Sequence, residues 1–180
     1  MRIISGKNKG KHLIAPAKLP VRPTTDFAKE ALFNILNNSY YFDEISVLDL
    51  FSGTGNISYE FASRGCQSII SVDNHSGCIQ FITKIAKELE YFITPLKSDV
   101  YNYLKKTNQK FDIIFADPPY EFTQEKFSEI VGLVFERELL NEEGVLIIEH
   151  SKQTDLEEVP NFSYSKKYGG NMFSFFELEN

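Results

Sequence analysis

Four consecutive residues about two-thirds along the chain, Asp117-Pro118-Pro119-Tyr120, could do chemistry on an exocyclic amine. Such a nitrogen is conjugated with its ring and is a poor nucleophile. Two acceptors, the Asp117 carboxylate and the Pro118 carbonyl, can bind its two hydrogens and turn its lone pair toward an electrophile. The paired prolines fix the exit of the chain, so that Tyr120 offers a held ring on which a base can stack. The plainer alternative is a strand cut short by prolines, with Asp117 as a solvated cap. A second constellation is Asp49-Leu50-Phe51-Ser52-Gly53-Thr54-Gly55, followed by Asp73. Glycines after a buried strand let the backbone turn tightly against a ligand, and an acid about 20 residues on can hold both ribose hydroxyls. The third glycine of the dinucleotide fingerprint is replaced by Ser58, which disfavours a pyrophosphate cradle. Asp49 adds negative charge that repels phosphate and welcomes a cationic amine or sulfonium.

The elements that must position these residues follow from periodicity. Ile45–Leu50 is an apolar strand running into the glycine turn and a helix; further strands are expected at Ser68–Val72, Phe92–Leu96, Phe111–Ala116 and Val145–Glu149. Between them lie amphipathic helices, one with Ile79, Ile82, Ala86 and Leu89 inward, another with Phe127, Ile130, Val131 and Val134 inward. This alternation predicts an α/β fold with a mostly parallel sheet covered on both faces. After the fifth strand, Phe162–Lys167 and Met172–Leu178 join at Gly169-Gly170, a hairpin signal that ends the sheet antiparallel. Ahead of this body, Ile3-Ile4 and His12-Leu13-Ile14 flank a basic, glycine-bounded stretch and predict a short hairpin. From Thr24 a helix is expected, with Thr24 or Thr25 as its cap.

With 180 residues, 42% of them hydrophobic, the chain is expected to form one domain, with residues 1–40 an extension of a core over 41–180. The net charge of -6 is uneven: residues 1–40 carry seven Lys/Arg against two acids, the rest twelve against twenty-three. Affinity for nucleic acid depends on charge gathered at the contact, so Arg2, Lys7, Lys9, Lys11 and Arg22 are candidate phosphate contacts; a solvated lysine-rich hairpin is the alternative. Cys66, Cys78 and three scattered histidines form no metal-ligand or disulfide pattern, and the first residues lack a signal-peptide core. A cytoplasmic protein without metal or membrane span is expected.

The glycine turn with Asp117-Pro118-Pro119-Tyr120 resembles the class I S-adenosylmethionine-dependent N-methyltransferases. Arg22-Pro23-Thr24-Thr25-Asp26, Glu30, Leu32-Phe33-Asn34, Arg2-Ile3-Ile4-Ser5-Gly6 and Gly10-Lys11 make it similar to the RsmD-type enzymes, which methylate guanine N2 in bacterial small-subunit rRNA. The resemblance implies a Rossmann-like fold of seven strands, S-adenosylmethionine as donor, and 16S rRNA within an assembling 30S particle as substrate. It implies that Asp49, Phe51, Gly53 and Gly55 line the donor, Asp73 its ribose and Asp99 its adenine, and that the helix opened by Thr24 and Thr25 holds the donor's carboxylate. Asp99, Thr24 and Thr25 have helix capping as their alternative role. Phe27-Ala28 departs from the basic or polar continuation common in that family, and His150 has no assigned role. A nicotinamide dehydrogenase shares the turn and Asp73 but leaves Asp117-Pro118-Pro119-Tyr120 unexplained; a noncatalytic RNA-binding module explains the basic arm only. The same tetrapeptide also serves adenine N6 in DNA and glutamine amides in proteins.

Overall fold

The computed structural model describes residues 1–180. Seven strands form one sheet: β1 (Ser46–Leu50), β2 (Ser68–Asp73), β3 (Ile93–Lys97), β4 (Phe111–Ala116), β5 (Leu140–Ser151), β6 (Phe162–Tyr168) and β7 (Asn171–Glu177). Their spatial order is β3-β2-β1-β4-β5-β7-β6, parallel through β5 and antiparallel at β7 and β6. Five helices cover the faces: α1 (Asp26–Leu36), α2 (Asn56–Ser63), α3 (Ser76–Glu88), α4 (Val100–Lys106) and α5 (Gln124–Glu136). The chain runs outward from β1 to β3 and then returns past β1 to β4. The crevice where the order reverses therefore opens at the carboxyl ends of β1 and β4, the usual place for a ligand in an open α/β sheet.

The helices form where the sequence supplies caps and an apolar stripe. Thr25 caps α1, its hydroxyl accepting from the Ala28 N–H at 3.2 Å, while Ala28, Leu32, Phe33 and Leu36 are buried. Asp99 caps α4 through the Asn102 N–H at 2.9 Å. That seven-residue helix offers little periodicity and is not evident from sequence. Strand β5 begins five residues earlier than expected, because Leu140 pairs with Phe111 before the register shifts through a polar segment in which Glu143 takes φ +64°. The N-terminal hairpin is a short ladder and not a pair of full strands: Ile3 N–H bonds Lys11 O at 2.9 Å and Leu13 N–H bonds Met1 O at 2.9 Å. Ile3, Leu13, Leu19 and the apolar side of α1 nevertheless bury in the same cluster as Val47 and Phe115. No helix is long and apolar enough to cross a membrane.

The basic arm is anchored by buried charge. Lys29 is 1% exposed and Glu60 fully enclosed; the ammonium lies 3.5 Å from the Glu60 carboxylate and donates to Asn56 Oδ1 at 2.8 Å and to Arg2 O at 2.5 Å. Glu60 accepts in addition from the N–H groups of Ile4 and Ser5 and from Arg64 Nε. Gly6 then passes so close to α2 that a Cβ would meet the Ser63 carbonyl at 1.9 Å, and its φ of +83° suits only glycine.

Candidate active site

Two loops meet at the switch point. Register pairs Leu50 with Ala116, so the glycine turn after β1 and Asp117-Pro118-Pro119-Tyr120 after β4 leave the sheet side by side; the Asp117 N–H reaches Leu50 O at 3.4 Å. Phe51 takes φ +55°, Gly53 +54° and Gly55 +89°, and a Cβ on Gly55 would meet the Tyr59 ring at 2.6 Å. Asp73, ending the neighbouring strand, closes the turn: its Oδ2 accepts from the Gly53 N–H at 2.9 Å and its Oδ1 from the His75 N–H at 2.9 Å. Each carboxylate oxygen keeps a lone pair for a further donor such as a ribose hydroxyl. Asp99 follows β3 at the same edge, where the Ser98 N–H bonds Asp73 O at 3.0 Å. The Phe51 ring packs edge-on against Phe122 at 5.4 Å and walls this side.

The residues fit a polar, cationic nucleoside. Two buried side-chain oxygens find no hydrogen-bond partner in the protein, Ser52 Oγ and Tyr59 Oη, and both border the glycine turn. Asp49 lies beneath it, 1% exposed, its carboxylate accepting from Ser58 Oγ at 2.6 Å. Burial pushes Asp49 up to about 7, against the lowering effect of the Ser58 bonds, and the nearby Asp73 charge adds to the rise. A ligand that brings positive charge would relieve that burden.

Beside the turn sits a cluster of carboxyls. Ala116 pairs with Ile148, which sets Asp117 and Glu149 as neighbours one position beyond the register. Burial raises Asp117 well above the usual carboxylate range, and the charges of Glu149 and Asp49 raise it further. Burial likewise pushes Glu149 up to about 7, while bonds from Thr24 and Asn171 and the Arg22 charge oppose the rise. Thr24 Oγ1 donates to Glu149 Oε2 at 2.6 Å and Asn171 Nδ2 to Oε1 at 2.8 Å. One carboxylate thus ties the start of α1 and the tip of the β6–β7 hairpin to the edge that carries Asp117.

This arrangement divides the residues expected from sequence. Asp49, Phe51, Gly53, Gly55, Asp73, Asp117, Pro118 and Tyr120 gather at one edge; Asp99 joins them, although its carboxylate also caps α4. Of the two threonines, Thr25 is the cap and Thr24 is turned inward to Glu149. Arg22 reaches the site, its guanidinium 5.4 Å over the Tyr120 ring, so one stacking face of that ring is already covered. Arg2 pairs with Asp26 at 3.1 Å at the start of α1. Lys7 and Lys9 lie elsewhere: the hairpin tip packs on Ser63, at the far end of α2, and Asn8 accepts from Tyr91 Oη at 2.6 Å ahead of β3. Eight helical residues, roughly 12 Å, separate that tip from the turn. Among the remaining candidates, Cys66 and Cys78 are buried free thiols, His75 caps α3 through Nδ1, and His150 is buried with Nε2 2.7 Å from Ser174 Oγ. Glu149, Asn171 and the Lys29–Glu60 pair are given no role from the sequence. Glu149 alone had a signal: it is the acid that follows the apolar run Val145–Ile148, as Asp117 follows the apolar strand β4.

An open sheet of this order, with an antiparallel hairpin at one end and helices around it, defines the Rossmann-like class I methyltransferase fold. The model of the family Conserved hypothetical protein 95 matches residues 1–177, and the chain belongs to that family, the RsmD-type methyltransferases. A relative from Bacillus subtilis (strain 168), YlbH, provisionally named an rRNA methyltransferase, is 37% identical over 163 residues, covering 88% of this chain and 86% of its own. "Ribosomal RNA small subunit methyltransferase D" of Buchnera aphidicola subsp. Baizongia pistaciae is 31% identical over 150 residues, covering 83% and 75%. Among solved structures, the Thermus hypothetical protein TTHA0928 superposes with a TM-score of 0.85 over 99% of both chains at 24% identity, a likeness of fold.

Proposed function

We propose that this chain transfers a methyl group from S-adenosylmethionine to the exocyclic N2 amine of a guanine in small-subunit rRNA, in the cytoplasm and on an assembling 30S particle. One observation carries the reading: the Leu50–Ala116 register sets Asp117-Pro118-Pro119-Tyr120 against the glycine turn and Asp73. Family membership and the name of the Buchnera relative support it. The donor, when bound, supplies a methyl carbon made electrophilic by its sulfonium. Asp73 would hold its ribose and Asp99 its adenine; Phe51, Gly53 and Gly55 would line it, and the start of α1 at Thr24 and Thr25 would face its carboxylate.

Asp117 and the Pro118 carbonyl would accept the two amine hydrogens, and Tyr120 would stack on the base. These two amine contacts would aim the nitrogen lone pair at the methyl carbon that a bound donor supplies. The proton shed by the nitrogen passes to the Asp117 carboxylate, which shares its buried edge with Glu149. The test is nucleoside mass mapping of small-subunit particles incubated with labelled donor. N2-methylguanosine at one position is expected; label entering only DNA adenine or a protein amide overturns the choice of acceptor.

Two expectations follow for the partners. Donor affinity rises several-fold between about pH 6 and 7.5 as Asp49 loses its proton, because the ionised form attracts the cation. Asp49→Asn removes the rise, as read by titration calorimetry; an unchanged slope would show that Asp49 does not face the donor's charge. We further propose that residues 1–40 serve the catalytic core of 41–180 as an RNA-facing extension. Neutralising Lys7, Lys9 and Lys11 together then weakens RNA binding and flattens its salt dependence by up to roughly 0.7 per lost phosphate contact. Wild-type binding across a salt series would leave the arm a solvated hairpin.

A further inference from the structure

Phe27 is 64% exposed although it lies in the first turn of a helix whose neighbours Ala28, Leu32 and Phe33 are fully buried. Its ring meets Tyr168 edge to face, the centroids 6.1 Å apart at 76°. Both rings are tied to the catalytic edge through one carboxylate. Tyr168 pairs across the hairpin with Asn171, which bonds Glu149; Phe27 lies in the first turn of α1, three residues after Thr24, which bonds the other oxygen of Glu149. Glu149 in turn flanks Asp117. Cations stand nearby: Arg22 covers Tyr120, and exposed Lys166 shares a strand face with Tyr168, while Arg2 at the same end of α1 is paired with Asp26. An exposed Phe27 ring backed by the half-buried Tyr168, with cations about it, matches a single-stranded nucleic acid, whose bases stack on rings while the cations meet its phosphates.

We propose that Phe27 and Tyr168 form a second stacking platform, which takes a nucleotide flanking the target guanine in the RNA strand. The proposal rests on the RNA-methylation reading above and adds to it a contact nearer the reacting edge than the lysines of the hairpin tip. With the target base on Tyr120, the strand would be held on both sides of the Glu149 junction.

The test is steady-state methyl transfer to small-subunit particles by the full chain. Phe27→Ala is expected to raise KM for RNA about tenfold with kcat and donor affinity unchanged, the scale of one lost base stack. Phe27→Tyr, which keeps the ring, is expected to restore KM. A wild-type KM in Phe27→Ala, with the parent enzyme active, overturns the platform alone. Loss of a concentration-dependent dimer in Phe27→Ala without change in KM also overturns it, assigning the patch to a second copy of the chain. A parent enzyme that methylates no RNA overturns both the platform and the functional reading beneath it.

Discussion

Asp117→Ala is expected to lower methyl transfer at least ~100-fold while donor affinity stays within about twofold of the parent. The asymmetry follows from where Asp117 points its chemistry. In the proposed mechanism its contacts would be to the amine, and they would strengthen as the nitrogen acquires positive charge and a proton to lose. In the proposed reading the donor would be held by the neighbouring turn, by Asp73 and by Asp99, none of which needs Asp117. Asp117→Asn keeps an acceptor for one amine hydrogen and should retain more activity than the alanine variant, but lose the pH dependence that the acid imposes. For the parent enzyme that dependence has a definite sign. Burial and the Glu149 charge raise Asp117, so its ionised form grows with pH only above the ordinary carboxylate range, and the rate should rise with it. Glu149→Gln removes the like charge and should move the rise to lower pH. Single-turnover rates across pH, with donor affinity measured alongside, decide the matter. Near-parent turnover in Asp117→Ala would sink the proposed mechanism.

Removing the buried carboxylate of Glu60 should have the largest effect on stability. Lys29 cannot easily stay charged where it lies: burial lowers it from its ordinary value, and Glu60 is the first opposing influence. Without that partner an ammonium is left 1% exposed, and the N–H groups of Ile4 and Ser5 lose their acceptor. Breaking one side of a buried ion pair costs about 3–5 kcal/mol, so Glu60→Ala should lower Tm by roughly 10 °C in a chain of this size. Lys29→Met introduced together with Glu60→Ala should recover a substantial part of that loss, because the stranded charge is gone. Thermal denaturation of the two single variants and the double variant provides the cycle. A Glu60→Ala protein as stable as the parent would mean that water reaches Lys29 and that the pair does not anchor the arm.

Much of the architecture is legible in the residues because it rests on local rules. Period-two and apolar runs mark β1, β2 and β4, the helical stripes mark α3 and α5, and Gly169-Gly170 marks the closing hairpin. The short α4 and the early start of β5 escape those rules: seven residues carry too little periodicity, and a polar bulge hides a strand whose pairing is set by its neighbour. The candidate site divides in the same way. Asp117-Pro118-Pro119-Tyr120 and the glycine turn are contiguous motifs whose chemistry can be read from residue type and order. Glu149 meets Thr24 across 125 positions of sequence, and Lys29 meets Glu60 only when α1 packs on α2, so neither junction has a local signature. The lysines of the arm are evident as charge, yet only the contact of Gly6 with Ser63 places their tip at the far end of α2, away from Asp117. Sequence by itself therefore determined the order of elements, the turn, and the acceptor loop. Tertiary packing alone decided which carboxyls share a buried edge, which threonine caps and which turns inward, and where the basic arm lies, because burial and charge coupling depend on distances in space between residues remote in the chain.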